Sequence, residues 1–204
     1  MKHSFTALLA AAILAPTLAA AVPTTDVKEF SNNTATEYFL DVDSNKFLQP
    51  FYRGASQDWG WKHGAIAGSG FSSIKLNISA FDVDFPSERD RISAFDGTGW
   101  TVLGDLAGGS DIYSFTEFDL SGYAWAQAQV NAGLQLQMDI DVNNERWIVT
   151  LAKSTLAIDG GNQTCVPTPG VPCTSTVPEP GTLALLGLAM FGIVATRKIA
   201  QKRA

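Results

Sequence analysis

Residues 133–142 read GLQLQMDIDV. Leu134, Leu136, Met138, Ile140 and Val142 fall at every second position, with Gln135, Gln137, Asp139 and Asp141 between them. Period two is the spacing of a strand with one buried and one wet face, because successive side chains leave a strand on opposite sides. The same alternation runs through SIKLNISAF, residues 73–81. There Ile74, Leu76, Ile78 and Ala80 share one face, and Lys75, Asn77 and Ser79 share the other. In RWIVTLAKSTLAI, residues 146–158, Trp147, Val149 and Leu151 align, but Ile148 is apolar as well. That pattern predicts a strand buried on both sides. GWTVLG (99–104) and DIYSFTEFDL (111–120) read as further short strands.

Polar turn signals separate these runs: Asp96-Gly97-Thr98-Gly99, Gly108-Gly109-Ser110-Asp111, Asn143-Asn144 and Asp159-Gly160-Gly161. YAWAQAQV, residues 123–130, has room for one or two helical turns. Long helical periodicity is confined to the two ends of the chain. The expected fold is therefore all-β: a single antiparallel β-sandwich over residues 22–161, of jelly-roll type, flanked by terminal helices.

The first 21 residues, MKHSFTALLAAAILAPTLAAA, combine a basic start at Lys2, an apolar stretch and a run of small residues ending at Ala21. This is the layout of a secretory signal peptide; the alternative is a buried N-terminal helix, which Pro16 and the triple alanine disfavour. Charge is distributed as export would have it. All 20 acidic residues lie between Asp26 and Glu179, while Lys2 and the four basic residues Arg197, Lys198, Lys202 and Arg203 lie outside that segment. The segment between carries a formal charge of −11. Such a surface repels phosphate backbones, which argues against nucleic acid as a partner, and it attracts cations.

Residues 162–176 form a proline-rich linker containing Cys165 and Cys173 in CVPTPGVPC. In an exported protein so close a pair reads as a disulfide; a zinc site lacks its third and fourth soft ligands. After the linker, residues 177–204 read VPEPGTLALLGLAMFGIVATRKIAQKRA. The uncharged run over about 181–196 reaches roughly 24 Å as a helix, short of the ~30 Å hydrocarbon core, and so makes a marginal transmembrane span. The basic tail at 197–204 belongs on the cytoplasmic side. Pro178 and Pro180 hold the chain before the span extended.

The order Val177-Pro178-Glu179-Pro180, short apolar span, Arg197-Lys198 resembles the PEP-CTERM sorting signal of exported bacterial proteins, also labelled the C-terminal domain of some ice-binding proteins. The resemblance covers about the last 27 residues. It implies that an exosortase-type membrane enzyme recognises Pro178, Glu179 and Pro180. It further implies a transient stay in the inner membrane and delivery to the cell surface or medium, often in bacteria that make exopolysaccharide. A looser resemblance runs over residues 74–161, where FDVDFPSERDRISAF, GTGWTVLGDLAGGSDIYSFTEFDL, LQLQMDID and RWIVTLAKSTLAIDGG are similar to galactose-binding-like or lectin-like sandwich modules of bacterial surface proteins. It implies a fold rather than a ligand.

Candidate chemistry is sparse. His63, in WGWKHGAIAGSG, is the histidine that a Ser-His-Asp triad would have to use, and no G-x-S-x-G elbow accompanies it. Asp82 and Asp84 are two apart, as are Asp139 and Asp141, so each pair leaves one face of an extended strand. Glu88 and Asp90 follow the turn at Pro86, and Asn143 and Glu145 lie beyond Asp141. Such hard oxygens can hold Ca2+ if two strands bring them together; otherwise they are the wet faces of an acidic domain. Trp59 and Trp61, in QDWGW, can stack on sugars if exposed or fill the core if not.

The expectation is a non-enzymatic, exported surface or matrix protein, structural or adhesive in the envelope, exopolysaccharide or biofilm. A carbohydrate- or calcium-binding lectin-like module is the alternative, and an exopolysaccharide hydrolase the third reading. No resident cofactor is expected, Ca2+ at the aspartate pairs aside.

Overall fold

A computed structural model describes residues 22–30 and 38–161. Among these the chain forms two antiparallel sheets stacked as a sandwich, with one helix at their edge. The strands are β1 (Thr24–Lys28), β2 (Tyr52–Gly54), β3 (Trp59–Lys62), β4 (Ile74–Phe81), β5 (Arg91–Phe95), β6 (Trp100–Asp105), β7 (Tyr113–Asp119), β8 (Gln135–Asp139) and β9 (Ile148–Ile158); the helix α1 is Ala126–Ala132. One sheet runs β1-β9-β4-β7, with β2 also paired to β9, and the other runs β3-β8-β5-β6.

β9 organises the first sheet. Along one edge it pairs with β1, Thr24 opposite Ile158 through Lys28 opposite Ser154, and then with β2, Tyr52 opposite Thr150. Along its other edge it pairs with the whole of β4, from Ile74 opposite Ile158 to Phe81 opposite Thr150. Flanked on both edges, β9 is buried on both faces from Val149 to Ile158, as the extra apolar residue Ile148 in its pattern predicts, although Thr150, Lys153, Ser154 and Thr155 are among the buried residues.

The core lies between the sheets. Ile74, Leu76 and Ile78 of β4 and Leu156 of β9 meet Leu136 and Met138 of β8 and Ile92 of β5, each no more than 3% exposed. Those of β4 and β8 are residues that alternation placed on one face; Ile92 and Leu156 join them from strands where it did not. The opposite face of β4 departs from expectation: Lys75 is half-buried and ion-paired to Glu117 and Asp119 of β7, but Asn77 and Ser79 are buried. The outer face of this sheet is partly covered by residues on either side of 31–37. Phe47 meets Phe81 edge-on at 5.5 Å between centroids, and the Lys46 ammonium lies 4.5 Å from the Phe81 ring. Lys153, opposite Ser79, is fully buried and paired with Glu29 at 3.3 Å. Sealing an ammonium requires such a partner.

The helix expected near 123–130 forms at Ala126–Ala132 and turns Ala126 and Val130, one helical repeat apart, into the core. It ends at Gly133, whose φ of +91° and whose approach to the His63 carbonyl (2.8 Å from a would-be Cβ) exclude a side chain. Among the described residues no helix is long and apolar enough to cross a membrane. The expected signal helix at 1–21, the linker 162–176 with Cys165 and Cys173, and the anchor at 177–204 lie outside the described residues.

Truncating Leu76 to alanine removes a fully buried side chain from the centre of the packed faces. The variant should lose about 2–5 kcal/mol in chemical denaturation. Val102→Thr, at a position 53% exposed on β6, should change stability by less than about 0.5 kcal/mol in the same experiment.

Candidate functional site

Glu88, Asp90 and Asp141 converge at one end of the sandwich, where the β4–β5 connection meets the β8–β9 loop. Three hydrogen bonds stitch the two together: Val142 N–H to the Arg89 carbonyl at 2.9 Å, Asp141 N–H to Asp90 Oδ1 at 3.0 Å, and Asn143 Nδ2 to the Ser87 carbonyl. Asp141 also orders its own loop, its two carboxylate oxygens accepting the N–H groups of Glu145 (2.9 Å) and Arg146 (2.8 Å). Asp141, Asn144 and Arg146 all take positive φ, +47°, +58° and +69°, so this loop is held in a conformation that side-chain-bearing residues rarely adopt.

Inside this corner Glu88, Asp90 and Asp141 are each no more than 1% exposed. Burial, reinforced by the charges of Asp90 and Asp141, pushes the Glu88 carboxyl up to about 8. Burial likewise raises Asp90 to about 7, against the pull of the Asp141 N–H. Asp84 is nearer the surface and is raised by partial burial and by the charge of Asp82. Arg89 and Arg91 direct their guanidinium groups to Asp105 instead, with Arg89 Nε at 2.7 Å and Arg91 Nε at 3.3 Å.

Beside the corner an open cleft of about 740 Å3 lies between the β2–β3 turn and the β8–β9 loop, a size suited to a small ligand. Gln57, Asp58, Asp139, Asp141, Arg146 and Trp147 contribute to its walls. Asp58 braces it by accepting the Ile140 N–H at 2.9 Å. Trp147 is 40% exposed, so an indole is available at the rim.

A second polar constellation lies elsewhere. His63, just past β3, is buried; its Nδ1 is 2.7 Å from Asp26 Oδ2 of β1 and its Nε2 is 2.8 Å from Ser154 Oγ of β9. The residue types and order are those of a nucleophilic triad, but the accessibility is reversed. Ser154 is 0% exposed within β9, whereas Asp26 is the partly open member. A serine nucleophile needs room for an acyl group at Oγ. The Asp26–His63–Ser154 chain is instead a tie between the two sheets, joining β1 and β9 to the end of β3.

The sequence-derived sites are rearranged by these facts. Asp82 and Asp84 do not continue β4: the strand ends at Phe81, and Asp82, at φ +63°, turns to accept the Asp111 N–H. Asp139 ends β8, and Asp141 turns inward. Among the described residues no group of three or more Asp, Glu, His or Cys side chains is arranged to hold a metal ion, so Asp82, Asp84, Asp139 and Asp141 do not form a calcium cage. Trp59 and Trp61 are 9% and 4% exposed; Tyr38 and Phe39 pack edge-on against Trp59, and Phe39 also against Trp61. Both indoles serve the core, which leaves neither an open face for a sugar. The residues missed as partners, Asp26 and Ser154, are 37 and 91 positions from His63, and no local pattern announces them.

Residues 176–198 match the PEP-CTERM protein-sorting motif. The chain therefore carries that motif at the place where Pro178-Glu179-Pro180 stands, outside the described residues. No curated protein matches the chain. Among solved structures, a Tobacco streak virus coat protein is similar at 18% identity with a TM-score of 0.34, covering 67% of this chain and 85% of that one. A recombinantly expressed latent aurone synthase (polyphenol oxidase) is similar at 12% identity with a TM-score of 0.37, covering 64% of this chain and 29% of that one. Likeness at that level says nothing about this chain's activity.

The tie at His63 has a pH signature. Partial burial pushes the Asp26 carboxyl up, but the hydrogen bond and charge of His63 and the Gly64 N–H outweigh it and hold it below its usual 3.8. A carboxylate depressed in the folded state contributes stability that is present above its unfolded value and lost as pH falls through the folded one. Thermal melts should therefore show a loss below about pH 4 that is smaller in Asp26→Asn. At neutral pH that variant should be less stable by about 1–2 kcal/mol.

Proposed function

We propose that this chain is an exported bacterial surface or extracellular-matrix protein with a structural or adhesive, non-enzymatic role, its sandwich presented among exopolysaccharide. The single observation that carries the reading is the PEP-CTERM match at residues 176–198. That motif implies export and processing by an exosortase-type enzyme, with a C-terminal membrane anchor on the way. In this reading Pro178, Glu179 and Pro180 are the recognition element, the apolar run that follows is the temporary anchor, and residues 22–161 are the cargo.

The cargo is suited to that life. Its acidic surface resists association with other anionic surfaces. A jelly-roll reading of the sandwich is supported by strand order. With the short β2 set aside, the eight remaining strands in chain order lie 1-8-3-6 in one sheet and 2-7-4-5 in the other.

A second reading, glycan binding, is favoured by the cleft at Trp147. An exposed indole beside Gln57, Asp58 and Asp139 offers an apolar platform and polar groups for sugar hydroxyls. It replaces the Trp59/Trp61 platform expected from sequence and is compatible with an adhesive role.

Replacing Pro178-Glu179-Pro180 by three alanines should leave the protein in the membrane fraction with its C-terminus uncleaved, while the wild type is processed and recovered at the surface or in the medium. Fractionation with intact-mass measurement of the C-terminus reads both. Identical processing of the two proteins would contradict the proposal.

A further inference from the structure

Glu88 is fully buried, and neither of its carboxyl oxygens has a hydrogen-bond partner. Asp90, two residues on and equally buried, commits Oδ1 to the Asp141 N–H and leaves Oδ2 without a partner. Three acid oxygens are thus unanswered in one sealed corner. Native interiors leave few polar atoms in that condition, and each one calls for a physical explanation such as strain, a functional role or a bound species. Asp141 is a further acidic group facing the same space, so a bound cation is what would let these carboxyls stay ionised together. No basic side chain does so: among the described residues neither Glu88 nor Asp90 has an ion-pair partner, and Arg89 and Arg91 are engaged by Asp105.

We infer that Glu88 and Asp90 form a binding site for a hard divalent cation, calcium in preference to magnesium or zinc, at the junction of the β4–β5 connection and the β8–β9 loop. The donors are oxygens alone, which excludes the nitrogen and sulfur sets that zinc selects. Calcium accepts two carboxylates, one of them bidentate, and completes its shell with backbone carbonyls and water at variable geometry, whereas magnesium demands a near-ideal octahedron. Asp141 is a neighbour rather than a ligand. Its oxygens already hold the Glu145 and Arg146 N–H groups, and its charge adds to the attraction. The site therefore needs only two carboxylate side chains, fewer than a cage of three, and it is distinct from the set Asp82, Asp84, Asp139 and Asp141. Because Asp141 lines the open cleft as well, an ion here would fix the loop that carries Arg146 and Trp147.

The test uses full-length protein in mild detergent, stripped with EDTA, freed of chelator, and melted with and without Ca2+ at about 5 mM, above the affinity range of extracellular calcium modules. Calcium should raise the wild-type melting temperature by at least about 5 °C. Glu88→Gln keeps the side-chain shape and is neutral, as the raised Glu88 carboxyl largely is at neutral pH without a cation, so it should fold and melt in EDTA close to the wild-type temperature, with no rise on adding calcium. Asp90→Asn should also lose the rise, whereas Glu145→Gln, exposed on the neighbouring loop, should keep it. A wild type whose melting ignores calcium, or a Glu88→Gln protein that retains the full rise, overturns the site. An equal rise with Mg2+ overturns the calcium preference.

Discussion

The ladder between β4 and β9 is the interaction on which the rest of the structure depends. β9 pairs with the whole of β4 on one edge and takes two partners, β1 and β2, on the other. Its ten buried residues leave no position for a solvated side chain, and the two polar groups that matter most on it are answered internally: Lys153 by Glu29 and Ser154 by His63. The second sheet reaches this ladder through packing of Leu136, Met138 and Ile92, and through the polar tie at His63. Apolar burial supplies the driving force, and the tie fixes how β1, β3 and β9 meet.

What the sequence made legible follows from how local each signal is. Alternation in residues 73–81 and 133–142 marks β4 and β8 and their core faces, because a strand with one buried face must repeat every two residues. The extra apolar residue Ile148 marks β9 as buried on both sides. Alternation fails where the chain leaves the strand. Asp82 and Asp141 take positive φ immediately after β4 and near the end of β8, so residues two apart no longer share a face, and the aspartate pairs part company. The tryptophans carry no sign of their own exposure: the pair at 59 and 61 is interior because Phe39 and Tyr38, some twenty residues earlier, close over it. Glu88 and Asp90 look like ordinary turn residues after Pro86. Only the crossing loop around Asp141, some fifty positions later, turns that stretch into a sealed corner.

Two scales of function meet in the chain. Its address is written in a short contiguous motif, readable without any fold. The proposed cation site and the cleft lie at an end of the sandwich where loops from distant parts of the sequence are pinned by a handful of hydrogen bonds, and where buried, unanswered carboxyls and positive-φ backbone meet. Stable folds concentrate such departures where something is bound. A cation at Glu88 and Asp90 would connect the scales, since a loop set by calcium is set outside the cell, where the sorting motif sends the protein.

Amide hydrogen exchange of the folded full-length protein tests the central claim most directly. If the β4–β9 ladder holds the molecule together, amides of Ile148–Ile158 and Ile74–Phe81 exchange last, at rates set by global unfolding, while those of residues 82–90 and 140–147 exchange earlier. Exchange in β9 as fast as in those loops would contradict the account.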